Sequence, residues 1–382
     1  MTIDFAVGRT NPEDFPVKAF KAAAARAIDN EYEALSNYHG GLGHPRLREI
    51  LAARESDREG VAVNPDHLTL MNGSMQGVTV VADALITHND DHVLVEEFCY
   101  PGTLAAYRSL GIQMHGVTMD EEGMRPASLE DHLDRLANDG IKPRFIYTTA
   151  TYQNPTGAVM SRERKLQVID IVQRHECILV EDNCYGDVHY DGEKAPAFYA
   201  LEEHERHIYI CSLSKIFAPG IRLGYVYAQP SMLARVLAKR NDAGSNYFAA
   251  AVLAEYFGDS VWPHTEAANV SLKRKRDIVV ESLAEYADTL CVWSHPPGGL
   301  FVWVRYPDDV DNEKLERLAA ERDVRYGLGR NFHFAGAHCS YLRIAFGHVP
   351  DADIREGIRR LAQCIGEART SNEAVGLHLF DA

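Results

Sequence analysis

The sequence predicts an α/β fold: a three-layer sandwich around a mostly parallel seven-stranded sheet, followed by a smaller α/β C-terminal unit. Two observations carry the large sheet. Between about residues 65 and 230 short apolar runs alternate with longer stretches of helical periodicity, as in βαβ units. Those intervening stretches are long enough to return the chain between parallel neighbours. A third observation marks the smaller unit: after about residue 230 the chain turns to long helical stretches and only later returns to strands. No repeat or low-complexity linker separates the two parts. The expected boundaries are an N-terminal segment 1–30 packing with the small domain, a large domain 31–255 and a small domain 256–382.

The expected strands of the large sheet are His67 to Met71, His92 to Glu96, Gln113 to Val117, Phe145 to Thr149, Ile178 to Glu181, His207 to Cys211 and Gly224 to Ala228. Met75 to Ile86, Thr103 to Gly111, Ser128 to Asn138 and Arg162 to Glu176 read as amphipathic helices, several opened by a Ser or Thr able to cap free N–H groups. A long helical stretch then runs to about Glu285, broken near Gly258 to Pro263. Gly299 to Arg305, a segment near Val324 and Leu342 to Ala345 read as strands, and Asp351 to Ala368 as the last helix. The tail from Thr370 to Ala382 lacks periodicity and is expected to be loosely held.

Composition narrows the function. The 382 residues carry 39 Lys+Arg against 55 Asp+Glu, a formal charge of −16 that repels polyanions. The one short basic run, Lys273 to Arg276, reads as a solvated helix face. No apolar run is long enough to span a membrane, and the N-terminus resembles no secretory leader. Seven cysteines without a CxxC pair indicate neither a disulfide framework nor a zinc ribbon, so a reducing cytoplasm is expected. His204 to His207 is not an HExxH motif, and no metal is expected. Gly41-x-Gly43 and Gly327-x-Gly329 lack the third glycine of a dinucleotide fingerprint.

The chemistry concentrates where strands end. Ser212-Leu213-Ser214-Lys215 follows a strand and precedes Arg222, so a lysine stands at the mouth of the sheet beside hydroxyls and a guanidinium. That combination suits a Schiff base with a phosphorylated aldehyde. Alone, SxSK is an ordinary turn as often as a site. Asp182 and Tyr185 emerge from the next strand's C-terminal end, where α/β sheets bind ligands. Asn154 sits in a turn fixed by Asn154-Pro155 and Thr156-Gly157. Asn72-Gly73-Ser74-Met75-Gln76 offers free N–H groups at a helix start, the usual cradle for a phosphate.

Together with Phe5 to Gly8, Asn11 to Pro16, Tyr38 to Arg48, Val95 to Gly102, Pro297 to Trp303 and Tyr341 to Phe346, these motifs resemble the fold type I pyridoxal-5′-phosphate enzymes. The resemblance is to the class I/II aminotransferases, nearest to the 2-aminoadipate and kynurenine aminotransferase branch, and covers nearly the whole chain. It implies that Lys215 binds the cofactor covalently and moves the substrate proton, and that Asp182 pairs with the pyridine nitrogen. Tyr100 would stack on the ring, while Asn154 and Tyr185 would bond its oxygen. Gly73, Ser74, Met75, Gln76, Ser212, Ser214 and Arg222 would hold the phosphate. Tyr38 would reach it from a neighbouring subunit, which implies a homodimer. Arg343, with Asn154, would bind the substrate carboxylate, a task for a planar guanidinium. The implied substrates are an L-amino acid and a 2-oxo acid such as 2-oxoglutarate, exchanged by a ping-pong mechanism.

The branch usually carries a helical segment ahead of this opening that helps read the substrate side chain, and only four residues precede Phe5. Arg9, Arg330 and His333 stand at departures from the branch's pattern and are candidates for that task. A second reading keeps Lys215 and the cofactor but directs the chemistry to elimination, replacement or cyclisation at Cβ or Cγ. A third, a DNA-binding regulator built on this domain, is disfavoured by the acidic charge and by the lack of a helix-turn-helix-sized segment among the first residues.

Overall fold

The computed structural model describes residues 2–258, 260–371 and 376–380. In chain order its strands are β1 (Ile3–Phe5), β2 (Leu68–Met71), β3 (His92–Glu96), β4 (Gln113–Val117), β5 (Met119–Asp120), β6 (Gly123–Met124) and β7 (Ile146–Thr148). They continue with β8 (Leu179–Asp182), β9 (His207–Ser212), β10 (Gly224–Ala228), β11 (Val292–Trp293), β12 (Phe301–Arg305), β13 (Val324–Leu328) and β14 (Tyr341–Ala345). Seven form the large sheet in the order β2-β10-β9-β8-β7-β3-β4. Ladders from β9 to β4 are parallel, and β10 runs antiparallel to both β2 and β9.

This sheet forms because its strands are apolar on both faces. Val93, Leu94 and Val95 are fully buried, as are Ile146, Tyr147 and Val180, each aliphatic side chain contributing on the order of 1.5–3 kcal/mol. Helices cover the faces. The helix Arg162–Arg174 is capped by Ser161, whose Oγ accepts the Arg164 N–H at 3.3 Å, and Pro101–Ser109 and Pro126–Asn138 begin on prolines that need no N–H partner. The strand direction places the ends of β3, β7, β8 and β9 at one edge. Gly224, at the start of reversed β10, lies opposite both Met71 and Ser212 at that same edge.

The second sheet has the order β1-β13-β14-β12-β11. β1 pairs in parallel with β13, so the N-terminal residues join strands more than 300 positions away. β14 is central, and Arg343 on it faces Trp303 of β12 and Gly327 of β13.

Two expectations change. The stretch after residue 230 breaks twice, giving helices Pro230–Leu237, Tyr247–Phe257 and Trp262–Tyr286, because Asp242, Gly244 and Asn246 build a turn whose Asn246 side chain caps the next helix. The tail is held where it is described: Phe380 is buried with Phe98, Trp303, Phe332 and Tyr341, and Leu379 packs on the same cluster. Residues 372–375 and 381–382 of that tail lie outside the described residues.

Candidate active site

A cleft of about 930 Å³ opens where the strand ends of the large sheet face the smaller sheet. Its walls include Ser74, Met75, Tyr100, Asn154, Asp182 and Tyr185. Ser212, Ser214, Lys215, Arg222 and Arg343 line it as well.

Lys215 follows the end of β9, and its Nζ donates to the carbonyl of Gly8 at 2.8 Å. Burial, opposed by Cys184 and aided by the charges of Arg343 and Arg222, pushes its pKa down to about 8. Near neutrality a sizeable fraction is therefore a free amine, which is the nucleophilic form.

Asp182 ends β8 and is buried. Tyr147 donates to its Oδ2 at 2.6 Å, and the Cys184 thiol to its Oδ1 at 2.8 Å. Burial raises its pKa, against those two hydrogen bonds. Among the described residues no cation pairs with this carboxylate, so the site has room for a positively charged partner.

An anion cradle lies alongside. Gly73, at φ +86°, sits ahead of the helix Ser74–Leu85 with no side-chain cap, leaving first-turn N–H groups open. A Cβ at that position would clash with Arg222 Nη2, so the glycine lets the guanidinium approach the helix start. Ser212 Oγ accepts the Ser214 N–H at 3.2 Å, which holds the hydroxyl-bearing turn in place.

On the opposite wall Arg343 is held on several sides. Its Nη1 donates to Asn154 Oδ1 at 2.7 Å and its Nη2 to the carbonyl of Ala6 at 2.6 Å. The guanidinium lies 4.3 Å from the Phe301 ring centroid and 4.6 Å from that of Phe332. Burial lowers its pKa to about 10, which leaves it charged at neutral pH, and its buried Nε has no hydrogen-bond partner. Asn154 Nδ2 donates to Tyr185 Oη at 3.3 Å, linking Arg343 to the phenol. Tyr100 caps the helix Pro101–Ser109 with its ring partly exposed to the cleft.

Some expected residues are not brought together. Gln76 is turned away: its Oε1 accepts the Asn72 N–H at 2.7 Å and its amide donates to Asp242, so it braces the loop 72–75 from behind. Tyr38 is 92% exposed and does not line this cleft. Arg9 pairs with Asp4 at 3.6 Å outside it. His333 spends its Nδ1 accepting the N–H groups of Ala335 and Ala337. Arg330 does line the cleft but is bonded to both carboxylate oxygens of Glu316, at 2.6 and 3.1 Å.

Others were missed. Tyr147 is a mid-strand aromatic that reads as core, and Arg108 lies within a helix whose start alone carried a motif. Glu96, at the end of β3, accepts from Thr148 Oγ1 at 2.6 Å and Gln153 Nε2 at 2.9 Å. Gln153 Oε1 in turn accepts the Thr156 N–H at 2.9 Å, so Glu96 anchors the loop that carries Asn154. Burial raises the Glu96 pKa to about 7.

Residues 2–361 match the family model described as aminotransferase class I and II. The chain is 30% identical over 368 residues to an aromatic-amino-acid aminotransferase 1 of Thermococcus litoralis, covering 96% of this chain and 88% of the relative. The crystal structure of Pyrococcus horikoshii kynurenine aminotransferase, in complex with PMP, superposes with a TM-score of 0.90 at 30% identity, covering 96% of this chain and 91% of that one. The α-aminoadipate aminotransferase of Thermus thermophilus, complexed with N-(5′-phosphopyridoxyl)-L-leucine, does so with a TM-score of 0.88 at 26% identity, over 96% and 92% of the two chains.

Proposed function

From the premise that the chain belongs to the class I and II aminotransferases, we propose which of its residues carry out the reaction. The protein is a pyridoxal-5′-phosphate-dependent transaminase that moves the amino group of an amino acid to a 2-oxo acid. Family membership supports this outcome rather than elimination or cyclisation at Cβ or Cγ.

The residues present fit the cofactor. A buried Asp182 without a cation suits a protonated pyridine nitrogen, and the uncapped helix start beside Arg222 suits a phosphate. When bound, the cofactor supplies an electron sink for the charge that develops at the substrate Cα. Lys215 would be the residue that holds it covalently, and its amine, when free, would be the base placed to take the proton from the substrate Cα and to give it back to the cofactor carbon that bears the amino group. Asp182, oriented by Tyr147 and Cys184, would keep the pyridine nitrogen protonated. Arg222, Ser74, Ser212, Ser214 and the N–H groups of Gly73 to Met75 hold the phosphate. Tyr100 would cover the cofactor ring, and Asn154 and Tyr185, already bonded to each other, would hold its oxygen. Arg343 clamps the α-carboxylate, its stacking between Phe301 and Phe332 fixing the plane of the fork. The single observation that carries this reading is the convergence of Lys215, Asp182, Arg222 and Arg343 on one cleft.

The same reading extends to assembly. The exposed Tyr38 lies in a stretch that also exposes Val17, Ile28, Tyr32 and Leu35, an apolar face suited to a second copy of the chain, from which Tyr38 would reach the partner's phosphate. Seven unpaired thiols suit a reducing cytoplasm. Residues 256–382 with β1 form the smaller body, in keeping with the core that joins Ile3 and Phe5 to residues 279–368, whereas Phe20, Ala23 and Ala27 pack on Ala251 and Val252, so the helix Val17–Glu31 belongs with the larger body and not, as expected for the whole of 1–30, with the smaller. The test is a panel of amino donors against 2-oxoglutarate, read by glutamate formation. Glutamate is expected from at least one donor, and no product from any donor with cofactor bound at Lys215 overturns the reading.

A further inference from the structure

Four guanidinium groups line the cleft: Arg108, Arg222, Arg330 and Arg343. In a chain with 55 acidic residues against 39 basic ones, carboxylate partners are plentiful. Arg330 has one, held through both oxygens of Glu316. Among the described residues no carboxylate lies within ion-pair reach of the other three. Arg222 donates only to the carbonyls of Pro219 and Asn72, Arg343 to Asn154 and Ala6, and Arg108 to the carbonyl of Phe334.

Arg343 is buried while Arg108 and Arg222 reach solvent, and the three line different parts of one cleft without a carboxylate, which leaves each free to take an anionic group from a ligand. Resting on the function proposed above, the cofactor phosphate answers Arg222 and the substrate α-carboxylate answers Arg343. Arg108 is left over, and its placement is not casual. It stands two helical turns beyond Pro101, which also lines the cleft. Its Nη2 donates to Phe334 O at 2.7 Å, which pins the side chain and leaves its remaining N–H groups for a ligand. The segment it grips is itself tied down: Cys99 N donates to Phe332 O at 2.8 Å and Phe334 N to Glu97 O at 2.9 Å. The nearby Ala335 and Gly336 bring no bulk to that part of the wall.

We propose that Arg108 reads the substrate side chain and selects dicarboxylic amino acids and 2-oxo acids, binding their distal carboxylate. The three residues first singled out for that task are otherwise engaged: Arg9 with Asp4, Arg330 with Glu316 and His333 with its own turn.

The test uses the holoenzyme. In the wild type, 2-oxoglutarate is the better acceptor than phenylpyruvate by about tenfold or more in kcat/KM, as expected for one charge-assisted contact. Arg108→Gln lowers the ratio of kcat/KM for glutamate to that for phenylalanine by about 10- to 100-fold. Arg108→Lys restores part of that ratio. Calorimetric titration with glutarate, a dicarboxylate that cannot react, shows affinity falling in Arg108→Gln by a similar factor. An unchanged ratio, an equal loss for both donors, or a wild-type preference for phenylpyruvate overturns the assignment. Failure of the parent reading looks different: no donor, acidic or aromatic, would transaminate at all.

Discussion

Lys215 offers the sharpest quantitative check. Its ammonium is held against the Gly8 carbonyl and feels the charges of Arg343 and Arg222, and its pKa stands at about 8 where an ordinary lysine stands at 10.5. At about 1.36 kcal/mol per tenfold change, the buried site disfavours the charged form by ~3 kcal/mol. At pH 7 roughly 10% of the chains then carry a free amine at 215, against about 0.03% for an unperturbed lysine. Competitive labelling of the cofactor-free protein with trace acetic anhydride between pH 6 and 10, quantified at the Lys215 peptide by mass spectrometry, measures this directly. The expected titration has its midpoint near 8, and Arg343→Gln, which removes a neighbouring positive charge, moves the midpoint upward. A midpoint near 10.5 in the wild type would mean that neither burial nor the neighbouring charges act on this amine as described.

Three further outcomes are expected. Asp182→Asn retains cofactor but slows the amino-donor half-reaction about 10²- to 10³-fold, the scale of losing one preorganised electrostatic partner, and stopped-flow rates within twofold of wild type would contradict it. Arg343→Lys keeps the charge but not the fork, so KM for amino acids rises about 10- to 100-fold; an unchanged KM would remove Arg343 from the carboxylate site. Glu96 concerns stability. Its folded pKa of about 7 lies above its ordinary 4.5, so its contribution is full below pH 4.5 and drains away as pH rises through 7, by about 3 kcal/mol in all. Glu96→Gln should flatten that part of the Tm-versus-pH curve, and curves parallel to wild type would show that Glu96 does not titrate there.

How much of this was legible beforehand follows from the range of each contact. Lys215, Asp182, Asn154 and Ser74 sit at or just past strand ends in short runs whose composition is itself unusual, so local reading finds them. The strands were found for a similar reason, being doubly apolar. What escaped depends on distant partners. Gln76 looks like a ligand for the phosphate until Asp242 takes its amide, and Arg330 looks like a reader of acidic side chains until Glu316 neutralises it. Tyr147 is indistinguishable from core until β7 lies beside β8 and its hydroxyl meets Asp182. Arg108 carries no local mark, and only the tally of unpaired charge around the cleft picks it out.

The carbonyls of Ala6 and Gly8 have a consequence for any measured affinity. Arg343 donates to one and Lys215 to the other, so in the ligand-free chain the backbone that leaves β1 already occupies a donor on the residue that would take the cofactor and on the one that would take the substrate carboxylate. A carboxylate arriving at Arg343 Nη2 must displace or share a native acceptor, and its observed binding energy is net of that exchange. Amide protons of the residues around Gly8 are accordingly a place to look for substrate arrival by hydrogen exchange, even where the rest of the cleft stays still.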